Sequence, residues 1–161
     1  KIRHEATELL DKVAPIGHSK TIQVLLQRLQ DESFAVRARA GSAIEKLTPR
    51  GDRVALDAFK NLAKNKSTDM AVIGLRGMRK TAHREDESVI EIFLEHLESD
   101  EEQVVVAAVK GLQNVMREPN AKVTDALLKL LVTMETSMTE EADEVYDSPA
   151  KDAVIRALPD L

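Results

Sequence analysis

Four histidines, His4, His18, His83 and His96, are the side chains best suited to proton transfer or metal binding. No two of them stand three or four residues apart, and no His-Glu-x-x-His occurs, so two imidazoles are never set on one helix face. They read as surface histidines. Cysteine is absent, which excludes thiol catalysis, disulfides, thiolate zinc sites and iron–sulfur clusters. The segment Gly17-His18-Ser19-Lys20-Thr21 has a loose likeness to a phosphate loop, but it lacks the Gly-Lys pair and a preceding strand. It also recurs in register with Pro49-Arg50-Gly51. Gly41-Ser42 sits in no Gly-x-Ser-x-Gly elbow. Carboxylates are plentiful, and pairs such as Glu101/Glu102 read as acids at a helix start, where they complement the macrodipole. No catalytic residue, cofactor or metal is expected.

Composition narrows the classes further. The chain has 161 residues, of which 43% are apolar and 2% aromatic. That is enough to bury a core. The aromatics are Phe34, Phe59, Phe93 and Tyr146, with no Trp, so base-stacking platforms and aromatic cofactor pockets are poorly supplied. No apolar run approaches the ~18 residues that a membrane span needs. The opening Lys1-Ile2-Arg3-His4-Glu5 has no signal-peptide pattern, and an intracellular (cytoplasmic or nuclear) location fits. The net charge is −5, yet residues 135–147 hold six acids and no Lys or Arg. Without them 23 bases face 22 acids, a balance of +1.

The elements follow from an internal repeat. Sliding the chain by 34 residues aligns it without gaps. Ala6 falls on Ala40, Gly74 and Ala108; Leu10 on Ile44, Met78 and Leu112; Val13 on Leu47, Thr81 and Val115. Upstream, Leu25, Phe59, Phe93 and Leu127 form one column, and Leu29, Ala63, Leu97 and Leu131 another. Each period holds two helical patterns. Helix A is predicted near 19–30, 52–64, 86–98 and 120–135, with apolar residues at i, i+3, i+4 and i+7. Helix B is predicted near 2–14, 33–47, 68–81 and 101–116. Ser19, Asp52 and Ser67 suit N-caps. A second small column, Ala43/Gly77/Gly111, puts glycine inside helices at about 1 kcal/mol each, which close helix packing would offset. A pair this short cannot bury its apolar face alone, so pairs stack.

These residues resemble HEAT repeats. Residues Leu25 to Leu47 look like the family's helix, Asp-containing turn and following Val-Arg, with Asp31 and Arg37 at the turn Asp and the Arg six residues later. In that family the two pair and stack along the superhelix. The other repeats depart, with Asn65 and Ala71, then Ser99 and Val105. The 34-residue period also suits tetratricopeptide repeats, whose Trp, Gly and Tyr positions are absent. The resemblance implies an all-α right-handed superhelix of about four pairs. Its units are about 1–17 (partial), 18–51, 52–85, 86–119 and 120–161 in a single repeat domain. Neither end carries a polar cap, so the chain reads as a slice of a longer solenoid. The last unit departs from the period: residues 136–147 read as an acidic insertion loop, and its helix B starts late, with Ser148 as N-cap, Pro149 in the first turn, then Ala150, Ala153, Val154, Ala157 and Leu158.

Helix B lines the concave side in the HEAT family. Lys12, Lys46 and Lys80 form one column there, and Arg76 and Lys110 another, with Arg39 and Arg79 beside them and Val72 and Val106 adding apolar contact. The candidate site is thus a basic stripe of Arg39, Lys46, Val72, Arg76, Arg79, Lys80, Val106 and Lys110, suited to a protein or acidic peptide. The competing reading is solvated charge at helix C-termini, where a cation is favoured by ~0.3–1 kcal/mol. The function that fits best is a non-catalytic protein–protein scaffold or adaptor. The alternatives are nucleic-acid association through the same stripe, which the overall acidity opposes, and a relative of HEAT-like enzymes. Among the latter, DNA glycosylases use aromatics and an Asp in a basic cleft, and bilin lyases bind a tetrapyrrole; no local motif supports either.

Overall fold

Every helix of the A type starts where a polar side chain can take one of the N–H groups that a first turn leaves free. In the computed structural model, which describes residues 2–139 and 148–157, these caps recur at the 34-residue interval. His18 Nδ1 accepts from Thr21 N–H (3.4 Å), Asp52 from Ala55 (3.0 Å), Asp86 from Val89 (3.3 Å) and Asn120 from Val123 (3.3 Å). Asp52 is a cap as predicted. Ser19 is not: it is already the first helical residue, and the imidazole before it caps instead. Ser67 stands at its N-cap position without a side-chain cap bond.

The described residues are all-α. α1 spans Ile2–Val13, α2 Ser19–Arg28, α3 Phe34–Leu47, α4 Arg53–Ala63, α5 Thr68–Thr81, α6 Glu87–Glu95, α7 Glu102–Val115, α8 Ala121–Thr139 and α9 Pro149–Ala157. A 3-10 turn, His96–Glu98, continues α6. The chain forms two compact units, residues 1–83 with α1–α5 and residues 84–161 with α6–α9. In the first, α2 packs on α3, α4 on α5, and α3 lies between α1 and α5. In the second, α6 and α8 are of the A type, α7 packs against α6 and α9, and α8 meets α9.

The glycine columns are where A and B helices touch. A Cβ added at Gly77 would run into the Phe59 ring, and one at Gly111 into the Phe93 ring. Gly74 lies against the backbone of α4, at the Phe59 carbonyl and the Ala63 nitrogen. Both rings are fully buried. The two glycines of α5 cost about 2 kcal/mol in helix propensity, and burial of one phenylalanine, roughly 1.5–3 kcal/mol, offsets this. In the first pair the same columns hold Leu25 and Ala43, also fully buried. A smaller A-helix residue thus shares the register with a larger B-helix residue.

The turns repeat as closely. Asp31, Asn65 and Ser99 each accept the N–H two residues on, from Ser33 (3.0 Å), Ser67 (2.9 Å) and Glu101 (3.2 Å). Asn and Ser can serve here because the turn needs only a side-chain oxygen acceptor. The expected Asp31–Arg37 pairing takes another form. Arg37 donates to the backbone carbonyls of Asp31 and Glu32, both at 3.0 Å, and the Asp31 carboxylate binds Arg3 at 2.8 Å and Arg28 at 3.5 Å. The bond from Ser33, followed by Arg3, holds the Asp31 carboxyl below the usual carboxylate range against the opposing effect of burial. After α1, α3 and α5, Gly17, Gly51 and Glu85 adopt positive φ (79°, 87° and 59°). Their N–H groups bond to the carbonyls of Leu47, Thr81 and Val115 at 2.7, 2.6 and 2.9 Å.

The late helix B of the last unit forms as read. Lys151 N–H donates to Ser148 Oγ (3.4 Å), and Ala150, Ala153, Val154 and Ala157 are buried. Leu158 lies outside the described residues. The acidic insertion begins later than 136, since α8 runs on to Thr139 through Thr-Ser-Met-Thr, which holds no Gly or Pro to stop it. Residues 140–147 of that expectation lie outside the described residues.

Gly77→Ala should destabilise the chain by about 1–3 kcal/mol through overpacking on the Phe59 ring, despite its better helix propensity. Phe59→Leu in the same chain should restore most of the loss, because Leu and Ala stand at these two positions of the repeat in α2 and α3; urea unfolding of the single and double variants measures this. Asp31→Asn should cost less than Asp31→Ala in the same assay, since Asn keeps the turn bond and loses only the ion pairs to Arg3 and Arg28.

Candidate functional site

A cation on a helix surface offers a partner its full charge where no carboxylate of its own chain matches it, and less where one does, although such a surface pair is worth only about 0–1 kcal/mol. Each member of the predicted stripe divides on this point. Lys46 on α3 is spent internally: its Nζ reaches both oxygens of Asp11, at 3.0 and 2.9 Å, and the Asp11 side chain is only 3% exposed. Arg39, two turns away, meets Glu8 at 3.3 Å and Asp11 at 4.0 Å. Lys12, first of the lysine column, pairs with Glu8 at 2.8 Å. Lys46 and Arg39 are thus matched within the chain, by a ladder of acids on α1 facing bases on α3.

The cations of α5 are differently placed. Arg76 lies 3.7 Å from Glu45, with half of its side chain exposed. Lys80 is exposed and has no carboxylate within 4 Å among the described residues; neither does the half-buried Arg79, whose Nε also has no hydrogen-bond partner. Glu45 is the acid that these three share. Burial pushes its carboxyl above the ordinary glutamate range, against the pull of Arg76, Arg79 and Lys80. Three bases thus answer to one half-buried acid. Val72 is half-buried on the same helix. Val106, half-buried, and Lys110, exposed, belong to α7 in the second unit.

Residues 22–146 match the family model described as "Required for nuclear transport of RNA pol II C-terminus 1". The chain belongs to this family. The match takes in 125 of 161 residues, running from within α2 past the end of α8. No curated protein matches the chain. Among the described residues no three His, Asp or Glu side chains gather as a metal site would need, and no helix is long and apolar enough to cross a membrane.

The acids Glu8, Asp11 and Glu45 were missed in the sequence although a signal was present. Asp11 and Lys46 lie 35 apart, as do Glu45 and Lys80, while Glu8 and Arg39 lie 31 apart, as do Glu45 and Arg76. One period plus one residue, or less three, carries a side chain to the facing position on the next B helix. Glu102 was also misread: its carboxylate accepts from Ser148 Oγ (2.7 Å) and Ala150 N–H (3.3 Å), capping α9 rather than serving only its own helix. The histidines have local structural roles: His18 caps α2, His83 lies against Gly51, and His96 Nδ1 is 2.7 Å from the Ile92 carbonyl.

The Glu45 carboxyl holds its proton more tightly folded than unfolded, so its contribution falls as pH climbs from the ordinary glutamate range toward the folded value. Glu45→Gln should therefore raise the melting temperature at neutral pH by about a few degrees, with the gain shrinking as the pH is taken below that range; thermal melts across pH test this.

Proposed function

We propose that the chain is a non-catalytic helical module of the HEAT type that binds an acidic protein segment through Arg76, Arg79 and Lys80 on α5, with Val72 as apolar contact. The observation that carries the reading is the uneven charge of this helix: three cations beside one half-buried carboxylate, while the bases of α3 are already matched by α1. The family description supports a protein partner within the nuclear transport of RNA polymerase II, and with it a cytoplasmic or nuclear setting. Helices that pack by Phe-in-Gly contacts give a rigid face, which lowers the ordering cost of binding.

An acidic peptide of the partner, followed by fluorescence anisotropy, should lose about tenfold or more in affinity on Arg76→Glu, Arg79→Glu and Lys80→Glu combined. Lys46→Glu should change it little, since Asp11 already neutralises Lys46. Equal losses from both would reject the α5 patch. Tighter binding of single-stranded RNA than of the peptide, with a steep salt slope, would favour the nucleic-acid reading instead.

A further inference from the structure

Two of the five prolines follow a hydroxyl residue, in Thr48-Pro49 and Ser148-Pro149. Their surroundings differ. Thr48, at the C-cap of α3, is 7% exposed, and glycine stands three residues on. Ser148 is half-buried, Pro149 is exposed, and Lys151 stands three residues on. A proline after the hydroxyl brings no N–H for an enzyme groove to pair, and a cation three residues on gives that groove a charge to hold. Ser148-Pro149-Ala150-Lys151 therefore has the form of a substrate for a proline-directed kinase.

The same hydroxyl joins α9 to α7. Ser148 Oγ donates to Glu102 Oε1 (2.7 Å), and that oxygen also accepts the Ala150 N–H (3.3 Å). Lys151 N–H donates in turn to Ser148 Oγ (3.4 Å). α9 packs on α7, and its buried residues are Ala150, Ala153, Val154 and Ala157. Three alanines and a valine remove little apolar area from water, so the polar clasp at Glu102 matters to the docking. The clasp lies among acids: Glu101, Glu102 and Asp152 stand at the starts of the two helices, against Lys151.

We propose that Ser148 is a phosphorylation site for a proline-directed kinase, and that the phosphate releases the first turn of α9 from α7. In the transfer Ser148 Oγ attacks the terminal phosphorus of ATP. The Oγ–P bond forms, the bond from that phosphorus to the bridging oxygen breaks, ADP leaves, and the hydroxyl proton passes to the base of the kinase. The product carries about two negative charges at the point where the hydroxyl gave its hydrogen to Glu102. Oγ then has nothing to donate, and a dianion and a carboxylate compete for one place. The helix dipole favours an anion at this end. The hydroxyl already supplies a cap, however, and Glu102 is within hydrogen-bond distance, so repulsion outweighs that gain. The kinase reaches Ser148 when the first turn of α9 opens, and the phosphate then keeps it open. This site lies in the second unit and does not depend on the reading of the α5 patch.

The test treats the full chain with ATP and a cyclin-dependent kinase and locates the phosphate by tandem mass spectrometry. Ser148 should take up phosphate and Thr48 none, and Ser148→Ala should remove the uptake. No uptake, or uptake that Ser148→Ala leaves unchanged, would overturn the site. Hydrogen exchange reads the consequence. Amides 150–157 should exchange about tenfold or more faster in the phosphorylated chain, with those of α2 to α5 unchanged. Phosphorylated Glu102→Gln should regain protection, because the neutral amide donates to the phosphate that the carboxylate repels. Unaltered or slower exchange after phosphorylation would show a phosphate that only caps α9. Faster exchange that Glu102→Gln does not relieve would remove Glu102 as the cause. Either result overturns the switch.

Discussion

The packing depends on a ring that can lie on a helix backbone only where no Cβ intervenes. Phe59 over Gly77 and Phe93 over Gly111 bring an A helix and a B helix closer than ordinary side chains allow. At Gly74 the approach becomes backbone to backbone. Each contact couples two residues 18 apart in sequence, so neither can change size alone. Leu25 and Ala43, both fully buried, hold the same two positions of the repeat with different volumes. Glycine therefore persists inside two helices despite its poor propensity, because the neighbouring helix removes the space that a better helix former would need.

Much of this arrangement was legible in the sequence. The 34-residue slide gave most helix limits within about two residues of those observed, the usual uncertainty of a helix end; the exceptions are the C-termini of α6, which passes into a 3-10 turn, and of α8, which runs on to Thr139. The small columns announced close contact before any coordinate was known. The late start of α9 followed from Ser148 and Pro149 alone. What the slide could not show was a role conserved through a change of residue. Asp31, Asn65 and Ser99 look like a broken motif as letters, yet each supplies the same side-chain acceptor to the same turn. The cap of α2 was missed because His is a rare cap, and the serine beside it is a common one.

The candidate site was legible only in part. Columns of like charge are visible along one helix type, but whether they are free depends on the facing helix. Asp11 and Glu8 cancel Lys46 and Arg39, and the cancellation is set by a side-chain reach between helices that a list of columns does not contain. On α5 the balance tips the other way because position 79 holds Arg where Asp11 and Glu45 stand in the two preceding B helices. A single column that switches from acid to base thus separates a matched surface from an unmatched one.

The left-handed turns at Gly17, Gly51 and Glu85 join each A-helix entry to the carbonyl end of a B helix through main-chain atoms alone. Glu85 manages this without glycine, and its carboxylate accepts the N–H of Arg117, just beyond the end of α7. Such stitches are indifferent to what the exposed side chains are. The outward chemistry of the molecule can therefore drift, acquiring or shedding charge as its associates change, while the spacing of its helices stays in step.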